Sequence, residues 1–187
     1  MTEAEMIQGV ASGDENAFRL LVESYRQRVV NTCFGIVHNL ADAEDVAQEV
    51  FVEVFRSASG FRADARLSTW LYRIAVNRSL NWVRSRKRRN WLLPFEGIFS
   101  AAHEPAGTET PASGIESRQR AQLLHRAVDS LPDNQRTAFV LNKYEELSYQ
   151  QVAEVMELSV AAVESLLHRA RKNLQKKLYA CYRKNGL

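Results

Sequence analysis

Three of the four prolines in this chain, Pro94, Pro105 and Pro111, fall between positions 94 and 111. Proline lacks a backbone donor and clashes with the preceding helical turn, so a cluster of prolines interrupts regular structure. Gly97, Gly107 and Gly114 lie in or beside the same stretch, along with several serines and threonines. Nothing there keeps a steady hydrophobic period. Residues 91–114 are therefore predicted to link two blocks, residues 1–90 and 115–187. The first part of the linker is apolar, with Trp91, Leu92, Leu93, Phe95, Ile98 and Phe99. That part reads as a docking segment, with flexible chain after Ser100.

Both blocks read as helical. Phe18, Leu21, Val22, Tyr25, Val29, Cys33 and Ile36 recur at steps of three and four, the period of one helix face. Gly13 followed by Asp14 marks a helix end and a fresh N-cap. The next helix is predicted to start at Asp42 as N-cap and reach Ser57, packing Val46, Val50, Phe51, Val54 and Phe55 inward. A loop over 58–67 precedes a long helix, capped by Ser68 or Thr69 and running toward Arg89. The second block opens near Ile115, with a stripe of Leu123, Leu124, Ala127, Val128 and Leu131. Pro132 sits just inside the next helix, which runs to about Tyr144. Two further helices follow, Ser148–Met156 and Ser159–Lys177. No segment alternates with period two. The fold class is all-α: two small helical domains joined by a flexible linker, the second holding a helix-turn-helix.

The net charge is only +3, so the arrangement of charge matters more than its sum. From Arg84 to Arg89 the chain reads RSRKRR, five cations in six residues, while Asp42, Glu44 and Asp45 form an acidic patch. Such segregation points to different partners for different surfaces. Cys33 and Cys181 are far apart and read as incidental thiols of a reducing compartment. The histidines His38, His103, His125 and His168 are scattered, with no spacing that resembles a zinc site. No carboxylate pair has metal-site spacing, and there is no phosphate-binding glycine loop and no nucleophile with a base. The chain is expected to be no enzyme, to need no metal or cofactor, and to act in the cytoplasm without inserting in a membrane. Its N-terminus does not read as a signal peptide.

The segment from Ser148 onward fits a helix-turn-helix: two capped helices with only Glu157 and Leu158 between them. In that motif the second helix enters the major groove. Val152, Ala153, Leu158, Val163, Leu166 and Leu167 are placed to pack inside. Glu164, Ser165 and His168 are placed toward bases. Arg169, Arg171 and Lys172 are placed toward phosphates, which supply most of the affinity in DNA binding.

The long helix carries Arg73, Asn77, Arg78 and Arg84 ahead of its basic end. Asparagine suits adenine; arginine suits guanine or phosphate. Just before it lies Phe61-Arg62-Ala63-Asp64-Ala65-Arg66. The Phe61 ring has two open readings, a core residue or a platform for an unstacked base. Trp70 reads as core, in phase with Ile74. On the helix from Asp42, the residues Asp45, Gln48, Glu49 and Val52 share one acidic and polar stripe. It repels DNA and leaves two readings open: a solvated face, or a site for a basic protein helix.

Three segments, in order, carry a resemblance. They are DAEDVAQEVFVEVF from Asp42, FRADARLSTWLYRIAVNRSLNWVRSRKR from Phe61, and LPDNQRTAFVLNKYEELSYQQVAEVMELSVAAVESLLHRARKNL from Leu131. Together they resemble the bacterial RNA polymerase sigma factors of the extracytoplasmic-function group. The resemblance implies that Asp45, Gln48, Glu49 and Val52 contact core RNA polymerase. It implies that Phe61, Arg62, Asp64, Arg73, Asn77, Arg78 and Arg84 meet the minus-ten promoter element. Glu164, Ser165, His168, Arg169, Arg171 and Lys172 would meet the minus-thirty-five element. It also implies an anti-sigma partner. Glu164 departs from the family, which often has a basic residue there. A conventional helix-turn-helix regulator is the second reading; such proteins pair to read two half-sites, and no obvious dimerisation helix is present.

Overall fold

The computed structural model describes residues 2–61, 66–92 and 123–185. Among them every regular element is helical. α1 spans Glu3–Ala11, α2 Glu15–Val37, α3 Leu40–Ser57 and α4 Leu67–Leu92. A turn of 3-10 helix, Ala58–Gly60, follows α3. Residues 123–129 form α5. α6 spans Asp133–Lys143, α7 Tyr149–Met156 and α8 Val160–Asn185. The apolar stretch expected to dock lies outside the described residues beyond Leu92.

Local chemistry sets the helix starts. The Thr2 hydroxyl accepts from the Glu5 N–H, and the Glu5 carboxylate accepts from the Thr2 N–H, a reciprocal box that satisfies two orphan donors. Gly13 turns the chain at φ +83°, and the Asp14 carboxylate caps α2 through the Asn16 and Ala17 N–H groups. The cap of α3 differs from expectation. Asn39, not Asp42, is the N-cap, and it accepts from the Asp42 N–H at 3.0 Å. Asp42 sits in the first turn instead, where it reaches Arg86 of α4 at 3.0 Å. Likewise α4 starts at Leu67, ahead of Ser68 and Thr69. The Trp70 N–H already donates to the Arg66 carbonyl, and Thr69 is buried.

Helices α1 to α4 enclose a core built on Leu21, Val29, Val46, Val50, Val54 and Leu71, all essentially sealed from solvent. Each such side chain contributes about 1.5–3 kcal/mol relative to exposure. Phe18 and Val22 are half-buried against it, as is Trp70. Phe55 was expected inside, but it is 46% exposed and meets Phe18 edge-on at 5.2 Å. Cys33 is buried, which pushes its thiol up to about 11. A neutral thiol of that kind is inert as a nucleophile.

α1 packs unusually close. A Cβ on Gly9 would lie 2.5 Å from the Ala17 Cβ on α2. Alanine at this site would recover about 1 kcal/mol of helix propensity, masking part of the clash. Gly9→Val is the sharper test, because valine brings overpacking of about 1–3 kcal/mol and little propensity. Thermal unfolding should show a Tm lower by several degrees; an unchanged Tm would mean that α1 can slide off α2 at no cost.

Beyond the first core, one cluster lies within the second block and one is shared by both. Ala127, Val128, Leu131, Ala170 and Leu174 form a small cluster joining α5 to α8. A larger cluster crosses between the blocks: Ile36, Tyr72, Val76, Leu80 and Val83 pack with Ala138, Leu141, Val152, Val155, Val163 and Leu167. The reason lies in α4. Its Leu71 and Ala75 belong to the first core, whereas Tyr72, Val76, Leu80 and Val83 form a second apolar row, one residue further round the helix. Gly35 allows α6 to approach α2, since a Cβ there would lie 2.6 Å from Val140 Cγ1. Polar contacts edge the junction. Arg73 pairs with Glu157 at 3.0 Å, Lys87 with Asp133 at 3.3 Å, and His38 with Asp129.

Candidate nucleic-acid interface

The helix-turn-helix is formed by α7 and α8. Ser148 caps α7 by accepting from the Gln151 N–H, and the Gln151 side chain accepts from the Ser148 N–H. Glu157 ends α7 in the left-handed region at φ 56°, which turns the chain within one residue. Ser159 then accepts from the Ala162 N–H to start α8. Val152, Ala153, Val163 and Leu167 are buried and Leu166 is half-buried, as their spacing required. Leu158 was expected inside but is 38% exposed. The left-handed turn at Glu157 aims it outward. Leu124 of α5 is also exposed rather than part of the buried stripe.

Glu164, Ser165, His168, Arg169, Arg171 and Lys172 are all exposed on α8. Only Arg171 is engaged among the described residues: it donates to the Tyr149 hydroxyl at 2.7 Å. The guanidinium is thereby steadied beside the start of α7.

On α4, Arg73, Asn77 and Arg84 share a stripe at steps of four and seven. Asn77 and Arg84 are exposed. Arg73 is not free. One of its amino groups donates to the Glu154 carbonyl at 2.8 Å, and the other pairs with Glu157, so it clasps the end of α7. Arg78 leaves this stripe and pairs with Glu53 of α3 at 2.6 Å. Arg62 and Asp64 lie outside the described residues. Phe61 is half-buried against the first core, tilted on Trp70 with ring centroids 5.1 Å apart. It also lines a cavity of about 500 Å³ with Ile7, Ala58, Arg66 and Leu67. The ring is thus packed on the core, as the first reading had it, and also borders an opening.

Asp45, Gln48, Glu49 and Val52 stand exposed in one row on α3, on the side away from Val46, Val50 and Val54. Beside this row runs a groove of about 180 Å³ between α2 and α3, lined by Val22, Arg26, Val30, Gln48 and Phe51. Periodicity could not reveal it, because a groove needs two helices. The described residues hold no cluster of three or more metal-ligating side chains, and no helix is long and apolar enough to cross a membrane.

Comparison with known proteins bears on these surfaces. Residues 21–89 match the model of sigma-70 region 2, and residues 121–174 match that of sigma-70 region 4. The RNA polymerase sigma-H factor of Pseudomonas aeruginosa is 35% identical over 183 residues, covering 94% of this chain and 93% of that protein. The ECF RNA polymerase sigma-E factor of Escherichia coli K12 is 32% identical over 188 residues, covering 98% of each. In fold, the chain is similar to the sigma factor RpoE of Bartonella quintana, solved with the anti-sigma factor NepR. The TM-score is 0.69 at 22% identity, over 87% of this chain and 96% of that one. The chain belongs to the extracytoplasmic-function sigma factors, the non-enzymatic initiation factors that bind core RNA polymerase and direct it to promoters.

Proposed function

We propose that three surfaces divide the work of initiation. The row Asp45, Gln48, Glu49 and Val52 on α3 takes the polymerase. Phe61, Arg62, Asp64, Arg73, Asn77, Arg78 and Arg84 take the minus-ten element, completing residues 1–90 as one functional unit. Residues 115–187 take the minus-thirty-five element through Glu164, Ser165 and His168 at bases and Arg169, Arg171 and Lys172 at phosphates. Residues 91–114 join the two. One observation carries the reading: an acidic row on α3 and a basic row on α4 sit in one bundle, with a capped helix-turn-helix beyond it. Acidic side chains repel DNA and suit a basic protein surface, while basic ones neutralise phosphate.

The chain acts in the cytoplasm, where this family works, and an anti-sigma factor restrains it. The support for a restraint is the fold neighbour solved with NepR. The setting we propose is an envelope or stress response. Run-off transcription with purified core polymerase over a genomic promoter library should yield discrete starts that need this chain. A stable dimer that footprints a palindrome without polymerase, and no starts, would favour the conventional regulator instead.

A further inference from the structure

One residue of α8 runs against the charge of the helix that carries it. Glu164 is the only acidic side chain from Val160 to Asn185, a span that holds seven lysines and arginines. A carboxylate on a basic helix commonly serves one of two local ends, and Glu164 serves neither. It is the fifth residue of α8, past the first turn where the helix dipole favours an acid. Its neighbours on the helix surface, three and four residues away, are Val160, Ala161, Leu167 and His168. No lysine or arginine therefore stands where an intrahelical ion pair would form. Arg171, two turns on, is committed to the Tyr149 hydroxyl. Among the described residues no hydrogen bond or salt bridge reaches the Glu164 carboxylate.

Its surroundings leave it free to reach outward. Glu164 is exposed beside Ser165, and the exposed side chain one turn earlier is Ala161, which ends at its Cβ. The Ser159 cap, accepting from the Ala162 N–H at 3.2 Å, fixes the start of the helix that presents it. In a helix-turn-helix the early residues of the second helix are those that meet base edges. An ionised carboxylate can only accept hydrogen bonds. In the major groove guanine offers the acceptors N7 and O6, and thymine offers the acceptor O4 and a methyl group. Adenine sets the acceptor N7 beside its N6 amino donor. Cytosine offers its N4 amino donor with no acceptor next to it. Against guanine or thymine the carboxylate would lose water and gain no donor. Cytosine satisfies it.

We propose that Glu164 is a specificity-determining residue, which reads one cytosine of the minus-thirty-five element by accepting from its N4 amino group. This rests on the assignment of α8 to that element. The cations around Glu164 attract phosphates and carry no sequence information. Glu164 lowers that attraction by one charge and makes what remains selective.

The test uses holoenzyme, core polymerase with the full chain, on templates randomised over the minus-thirty-five element, with the transcribed templates sequenced. Cytosine should be favoured about tenfold over guanine and thymine at one position. Glu164→Gln adds a donor for N7 and should move that position to adenine. Glu164→Arg should move it to guanine, and Glu164→Ala should flatten it, while the other positions keep their bases. The site is exposed and all three residues are good helix formers, so the fold is not at stake. Lys172→Ala checks the placement of α8, and should lower initiation from all templates alike. A preference that no Glu164 variant alters overturns the inference, as does a guanine or thymine that Glu164→Ala flattens. If Lys172→Ala then keeps its uniform effect, the assignment of α8 stands and only the role of Glu164 falls. If Lys172→Ala also changes nothing, α8 is off the promoter and both fall.

Discussion

Asp133→Ala should destabilise the chain by about 3–5 kcal/mol, whereas Arg136→Met should cost far less. The asymmetry follows from burial. Arg136 is 5% exposed, and its closest carboxylate partner is Asp133 at 3.2 Å. Asp129 is next at 4.0 Å, but it is already committed to His38. Removing Asp133 leaves a guanidinium enclosed without a close counter-charge. Two smaller losses add to this. Asp133 is the first residue of α6, where a carboxylate meets the positive end of the helix for about 0.3–1 kcal/mol. It also holds Lys87 across the junction at 3.3 Å, a contact largely in solvent and worth about 0–1 kcal/mol. Methionine at 136 removes the charge that needs the partner. It also removes Nε, which is enclosed and unpartnered already. Urea unfolding would measure both, as midpoint shifts at constant m. Equal costs would show that Arg136 adds more than it needs, and would contradict this account.

Asp45→Lys should lower the affinity for core polymerase more than tenfold while the fold stays intact. Placing like charges against each other across an interface costs several kcal/mol, and each 1.4 kcal/mol is about tenfold in affinity. The side chain is exposed on α3 and makes no ion pair among the described residues. Its loss should therefore move stability by no more than about 0.5 kcal/mol. Titration of labelled core polymerase with the variant, paired with a thermal melt, separates the two effects. Unchanged affinity would remove the α3 row from the polymerase surface, whatever becomes of the DNA-facing rows.

Periodicity located most helices because each of them buries one face. The row from Leu21 to Ile36 and the caps Asp14, Ser148 and Ser159 were legible for that reason: spacing and capping chemistry are local. The miss at Asn39 was also local, since two good caps stood three residues apart and the earlier one won. Leu158 and Phe55 failed differently. A left-handed turn redirected one, and the other found a partner in Phe18 at the edge of the bundle. The largest gap was the shared core. α4 reads as apolar early and basic late, which hides that Tyr72, Val76, Leu80 and Val83 form a second row. Which surface covers such a row depends on contacts more than fifty residues away, and no window along the chain sees those. Arg73 shows the same limit at the candidate site. Its position and charge fit DNA, yet in this fold its partners come from the end of α7.

The two serines that begin α7 and α8 bear on how this helix pair would behave apart from α4. Each cap is worth about 1 kcal/mol to its own helix, and neither draws on α2 or α4. Val152 of α7 and Val163 and Leu167 of α8 also lie in one buried cluster, which α4 and α6 share. Were α7 to part from α4, these two caps would favour a pair that stays helical. If α8 meets the promoter as proposed, little ordering entropy is then left to be lost there, so its affinity can be set by base and phosphate contacts rather than by the work of building a helix.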